Sequence, residues 1–256
     1  MKLNYKVKGE SGEPLVIIHG LFGSLDNWQT LANKLSETFM VYLVDLRNHG
    51  KSPHSEDHSY ELMAADLKEF FEDNFLNNVN LIGHSMGGKT ALLFSDKYPE
   101  YIAKLMVVDI GVKEYPPHHS EILNGLNAIP QGEFSSRNQA DEILVNYVPD
   151  FSTRQFLLKN LTRDEHKKLV WKMNLPVLEK YISEMGAELP IDSIEIETIF
   201  VRGEVSNYIL ESDYSSIKEL LPNSSVITAK NAGHWVHAEA PEFFYEEVLK
   251  FFGEPV

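Results

Sequence analysis

An apolar run that stops at a serine between two glycines, residues 79–88 (V-N-L-I-G-H-S-M-G-G), constrains this chain more than any other stretch. Val79, Leu81 and Ile82 read as a buried strand, and residues 89–97 read as a helix that ends before Tyr98-Pro99. Between them Gly83 and Gly87 bracket Ser85 in G-x-S-x-G spacing. The missing side chains let a strained strand-to-helix turn pass close to its neighbours while the hydroxyl stands exposed, the geometry of a nucleophile elbow. The plainer alternative is an ordinary serine in a glycine turn.

Around this stretch, short β-runs alternate with helical segments. Residues 2–8 alternate Leu3, Tyr5 and Val7, which suits a sheet edge; residues 15–18 and 40–44 are continuously apolar, as strands covered on both faces are. Asp26 is placed to cap a helix carrying Trp28, Leu31, Ala32 and Leu35, and Ser59 to cap a longer one over 60–75. Further strands are expected at 104–108, 197–201 and 225–229, and a closing helix over 241–252. Such alternation implies right-handed crossovers and a mostly parallel sheet with helices on both faces. Between 112 and 190 the periodicity becomes helical, over 122–129, 140–148, 153–160, 162–173 and 175–186. This predicts a catalytic body of residues 1–111 and 191–256 with a helical lid, 112–190, inserted after strand six.

The chain has 256 residues, enough for one domain with an insertion, and a formal charge of −15. A surface so acidic argues against a nucleic-acid partner. The insert is nearly balanced, with nine Lys or Arg against eleven Asp or Glu. There is no cysteine, so disulfide, thiolate and cysteine-metal chemistry are excluded. No stretch approaches the ~20 apolar residues of a membrane span, and the N-terminus lacks the apolar run of a signal peptide; a soluble, cytoplasmic protein is expected.

A serine hydroxyl is a weak nucleophile unless a base takes its proton and fixed donors stabilise the developing oxyanion. His234, in N-A-G-H-W-V-H (231–237), lies between the last strand and the last helix, at the same sheet edge as Ser85. His237 is expected to pack near the helix start and His84 to point away as a structural histidine. The other histidines show no metal-ligand spacing with carboxylates, so no metal and no cofactor is assigned. Met86, after the serine, is the first candidate oxyanion donor; the second comes from His19-Gly20-Leu21-Phe22-Gly23, with Leu21 or Phe22 supplying the N–H.

H-G-L-F-G-S, D-L-R-N-H-G-K-S, G-H-S-M-G-G and N-A-G-H-W-V-H, in this order, resemble an α/β-hydrolase, and N-H-G with L-F-G-S-L-D-N-W resembles YbfF-like esterases. The resemblance spans 15–252 and implies an eight-stranded, mostly parallel sheet. It further implies hydrolysis of short to medium carboxylic esters, with acyl-CoA thioesters as a second class, by a Ser-His-Asp triad, an acyl-enzyme and no cofactor. Asp45 and Arg47 carry over as structural braces. A serine at the elbow departs from dehalogenases and epoxide hydrolases, which carry a carboxylate there. Carbon–carbon bond hydrolases, lyases, cofactor-free haloperoxidases and non-enzymatic small-ligand receptors of the same fold remain alternatives.

In most members of that superfamily the triad acid lies in a turn after strand seven, reading roughly G-x-x-D. Here the turn is Gly203-Glu204-Val205-Ser206. A serine cannot offset an imidazolium charge, so Asp109, closing the strand 104–108 beside the elbow strand, is assigned as the acid. Glu204 is the alternative, and Ser206 is expected as a second hydrogen-bonding partner of His234. Phe134, Ile143, Tyr147, Phe151, Phe156, Leu157 and Trp171 are expected to cover Ser85. Arg137, Arg154, Lys159, Arg163, Lys167 and Lys168 are candidate phosphate contacts for a CoA thioester.

Overall fold

A computed structural model describes residues 1–116, 119–133 and 136–253. The chain begins with an exposed edge strand, β1 (Tyr5–Lys8), and passes through β2 (Pro14–Ile18) into a short helical turn and α1 (Gln29–Leu35). Then come β3 (Met40–Val44), α2 (Tyr60–Asp73), β4 (Val79–His84), α3 (Met86–Lys97) and β5 (Ile102–Val108). The next segment holds α4 (Ser120–Asn127), α5 (Arg137–Leu144), α6 (Phe151–Leu158), the strands β6 (Leu161–Arg163) and β7 (Leu169–Trp171), and α7 (Leu175–Lys180). β8 (Thr198–Gly203), α8 (Tyr214–Leu220), β9 (Ser224–Ala229), α9 (Val236–Glu239) and α10 (Pro241–Phe252) complete the chain.

Seven strands form one sheet in the order β1-β3-β2-β4-β5-β8-β9, parallel throughout except at β1. Among the described residues the sheet has seven strands where eight are expected, and residues 112–190 follow its fifth strand, β5. The hydrophobic pattern explains the parallel centre: every residue of β4 is buried, as is all of β2 beyond Pro14, because helices cover both faces. On one face Phe71, Leu92 and Phe94 pack beneath β4 and β5; on the other Trp28, Leu35, Phe244 and Val248 do the same.

Two local expectations fail. Residues 162–173 form an antiparallel hairpin, β6–β7, not a helix. The turn decides it: the Asp164 carboxylate accepts from the His166 and Lys168 amides, and Lys167 takes a positive φ of 62°, so the backbone reverses where a helix would continue. Asp26 does not cap α1, whose preceding residue is Trp28; its carboxylate pairs instead with Lys6 and Lys172. No helix among the described residues is long and apolar enough to cross a membrane.

Candidate active site

The elbow is built by close backbone packing. A Cβ at Gly83 would lie 2.4 Å from the Gly87 carbonyl oxygen, and one at Gly87 would lie 2.4 Å from that of His19, so neither position accepts a side chain. Between them Ser85 holds φ 53° and ψ −119°, a conformation costly for a non-glycine residue. Its amide donates to the Val108 carbonyl at 3.0 Å, which ties the turn to the end of β5. Ser85 is half-buried while its neighbours on both sides are fully buried.

β5 sits next to β4, with Val108 in register with His84, and so delivers Asp109 to the same edge. Asp109 is completely buried and strained, at φ 46°. One carboxylate oxygen accepts the Gly203 amide at 2.9 Å; the other accepts His234 Nδ1–H at 2.8 Å and the Ser206 hydroxyl. An Nδ1–H donated to a carboxylate leaves Nε2 as the acceptor nitrogen of a neutral imidazole. Ser206, expected as a hydrogen-bonding partner of His234, instead donates to Asp109. Its short side chain reaches from the Gly203 turn to the carboxylate lying over that turn. Glu204 points elsewhere: it is exposed and accepts the Asn231 amide at 2.8 Å.

His234 is held from three directions. Tyr208 stacks on its ring, with centroids 4.1 Å apart and planes 18° from parallel. Its own carbonyl accepts His84 Nε2–H at 2.9 Å, so His84 braces the loop as a structural residue. Burial first, then the neighbouring His234 and His237, push the His84 pKa well down, which keeps this histidine neutral. His237 stacks on Trp28 at 3.9 Å in the core. Tyr208 and the Gly203 amide escaped the sequence argument; only the turn's position after β8 could have pointed to them.

The 19–23 loop forms a tight turn closed by Gly23 N–H donating to the Gly20 carbonyl at 2.9 Å, with Phe22 at φ 57°. His19 steadies it: Nδ1 bonds the Gly20 carbonyl at 2.8 Å while Nε2 accepts the Leu46 amide at 3.1 Å. Leu21, Met86 and Ser85 line one cavity together, and Met86, as the first residue of α3, has an amide without an intrahelical acceptor. Asp45 and Arg47 are both tied into the surrounding fold. Asp45 accepts from Asn4, Leu25 and Lys51, and Arg47 forms a buried two-bond pair with Asp66 at 2.6 and 2.9 Å.

Ser85, His84 and His234 face a cavity of about 190 Å³ with Phe156, Leu157 and Trp235. Of the aromatic and aliphatic side chains expected above Ser85, Phe156 and Leu157 line it. Phe151 is mostly exposed, Ile143, Tyr147 and Trp171 are not among its walls, and Phe134 lies outside the described residues. Among the candidate phosphate contacts, Arg137 and Arg163 line a separate 650 Å³ groove with Lys51 and Lys172. Arg154 is buried and engaged by Asp141 and the carbonyls of Val148 and Pro149. Among the described residues no three His, Asp or Glu side chains converge as a metal site would require.

The pattern of the α/β-hydrolase fold matches residues 13–241. The chain belongs to the α/β-hydrolase family. This α/β-hydrolase is 32% identical to esterase YbfF of Escherichia coli, over 99% of this chain and 100% of that one. It is 36% identical to the sn-1-specific diacylglycerol lipase ABHD11 of Mus musculus, covering 93% of this chain and 80% of the lipase. Among solved structures, a marine microorganism esterase superposes with a TM-score of 0.95 at 43% identity, covering 98% of this chain and 99% of that one.

Proposed function

We propose that this α/β-hydrolase is a serine carboxylesterase acting on short to medium acyl esters, with Ser85 as nucleophile, His234 as base and then acid, and Asp109 as the triad acid. The hydroxyl of Ser85 attacks the ester carbonyl and passes its proton to His234 Nε2. The oxyanion is met by the Met86 amide and one from Leu21 or Phe22. Collapse breaks the carbon–oxygen bond, the imidazolium gives its proton to the departing alkoxide, and water then repeats the cycle on the acyl-enzyme.

The observation that carries this reading is the buried Asp109 carboxylate bonded to His234 Nδ1 at 2.8 Å, with Ser85 and His234 facing one cavity. The esterase and lipase names of the relatives support ester bonds as the substrate class. Residues 112–190 act as the lid, since α6 supplies Phe156 and Leu157 to the walls. CoA thioesters are a second substrate class, for which the Arg137–Arg163 groove supplies positive charge.

The test is hydrolysis of p-nitrophenyl esters and acyl-CoAs with fluorophosphonate labelling. Ser85→Ala should abolish both turnover and labelling with the fold intact, and labelling at the wild-type rate in His234→Ala would show that another base activates the serine.

A further inference from the structure

Ser85 stands between two cavities of unequal size, and the proton transfer described above dictates which half of an ester each can hold. The 190 Å³ cavity contains His234. The second, about 30 Å³, is walled by Tyr60, Ile110, Tyr115, Ile182 and Met185, while Leu21, Ser85, His119 and Tyr208 line both. In the tetrahedral intermediate the departing oxygen must receive its proton from the imidazolium, so the alcohol half lies on the histidine side. The acyl chain leaves the same carbon in another direction, away from the base.

We propose that the small cavity is the acyl pocket and the larger one the alcohol pocket, so that the preferred substrates are acetyl or propionyl esters of a bulkier apolar alcohol. The inference rests on the Ser85–His234 reading and adds the substrate's shape to it. A volume of 30 Å³ corresponds to roughly two water-sized groups at ~10–15 Å³ each, room for a methyl or ethyl beyond the carbonyl.

The hydroxyls of both wall tyrosines are engaged by backbone groups. The Tyr60 hydroxyl donates to the Met185 carbonyl at 2.7 Å. That of Tyr115 accepts from the Gly111 amide and donates to the Tyr208 carbonyl, both at 2.7 Å. Among the described residues no lysine or arginine lines the pocket, but His119 does. The nearby Lys89 ammonium, 5.1 Å from the Tyr115 ring centre, is directed to the carbonyls of Lys113, Gly186 and Ala187.

Two substrate series test this on the full chain: naphthyl esters from acetate to hexanoate, and acetates from methyl to naphthyl. In the first, kcat/KM should fall about 10-fold or more for each methylene beyond propionate, while in the second it should hold or rise. Ile182→Ala, or Met185→Ala if the first variant folds poorly, should raise the butyrate-to-acetate ratio about 10-fold and leave the alcohol ranking unchanged; Leu157→Ala should do the reverse. Wild-type activity that rises steadily to hexanoate, or an Ile182→Ala variant that alters alcohol and not acyl preference, would overturn the assignment while leaving the Ser85 reading standing. Hydrolysis that survives in Ser85→Ala would instead overturn the reading beneath it.

Discussion

The side-chain amide of Asn160, in the turn after α6, donates to the backbone carbonyl of Phe22, 138 residues earlier in the chain. Asn160 is completely buried, and its amide also reaches the Leu157 carbonyl at 3.3 Å. The proposed lid segment, 112–190, therefore holds the turn whose amides face the proposed oxyanion. Phe22 sits at positive φ, so this turn has little intrinsic preference for its shape and depends on such contacts.

Asn160→Ala should lower kcat about 10-fold with KM nearly unchanged. The change removes no oxyanion donor, the loss of which costs ~10²–10³, but loosens the segment that aims one. Steady-state kinetics on a short ester check this; a KM rise at constant kcat would place Asn160 in ground-state binding instead.

Asp109 accepts three hydrogen bonds, from the Gly203 amide, the Ser206 hydroxyl and His234 Nδ1. Asp109→Asn removes the charge opposite the imidazolium and disturbs the tautomer, and kcat should fall by up to ~10⁴. Ser206→Ala removes one neutral donor to the carboxylate and should cost about 10-fold or less. Glu204→Gln should remain near wild type, because that carboxylate is exposed and bonded to Asn231. Collapse of activity in Glu204→Gln with Asp109→Asn unaffected would reverse the assignment.

Several buried histidines make stability sensitive to mild acid. Burial, then the Arg47 charge, lowers the His58 pKa to about 4, and burial beside His234 lowers that of His237 to about 3. Burial also lowers His19, and His49 and His84 well below their ordinary value. In each case the unfolded chain binds a proton near pH 6.5 that the folded chain refuses until lower pH. Stability is thus complete above pH 6.5 and falls as pH drops toward 4; one such group costs about 3 kcal/mol once pH reaches 4. Urea melts at pH 7.5, 6 and 5 should show this loss beginning above the carboxylate range. His237→Phe, which keeps the stack on Trp28, should flatten the slope.

The parallel sheet, its flanking helices and the positions of Ser85, Asp109 and His234 were legible because each depends on local pattern plus strand order. Asp109 follows four apolar residues on the strand next to the elbow, and register alone brings it to the right edge. What stayed hidden depends on which atom meets which across long separations. Ser206 was expected at the imidazole but reaches the carboxylate, a displacement of one hydrogen bond that spacing does not encode. Asn160 meets Phe22 only once the insert is folded over the body. Residues 162–173 read as helix because Leu169 and Met173 stand four apart, as on one helix face, while the Asp164 turn that overrides this spacing is a matter of side-chain-to-backbone bonding.

Lys89, on the elbow helix α3, joins both ends of the insert. Its side chain is completely buried, and its ammonium donates to the carbonyl of Lys113, where the chain leaves the sheet, and to those of Gly186 and Ala187, where it returns. Burial lowers its pKa to about 8, against the opposing pull of Glu188 and Glu114. Three carbonyl acceptors suit the charged form, and losing the donor leaves those of Lys113 and Ala187 unpaired at ~1–3 kcal/mol each where no water reaches, while that of Gly186 keeps the Tyr115 amide at 2.8 Å. Lys89→Met keeps the length and apolar stem but not the donor. It should destabilise the attachment of the insert more than the sheet, so that limited proteolysis cuts within 112–190 at least 10-fold faster while the body resists. Esterase activity should then fall in parallel with insert cleavage. Unchanged cleavage rates with a global drop in Tm would show that Lys89 supports the core as a whole and does not act specifically at the base of the insert.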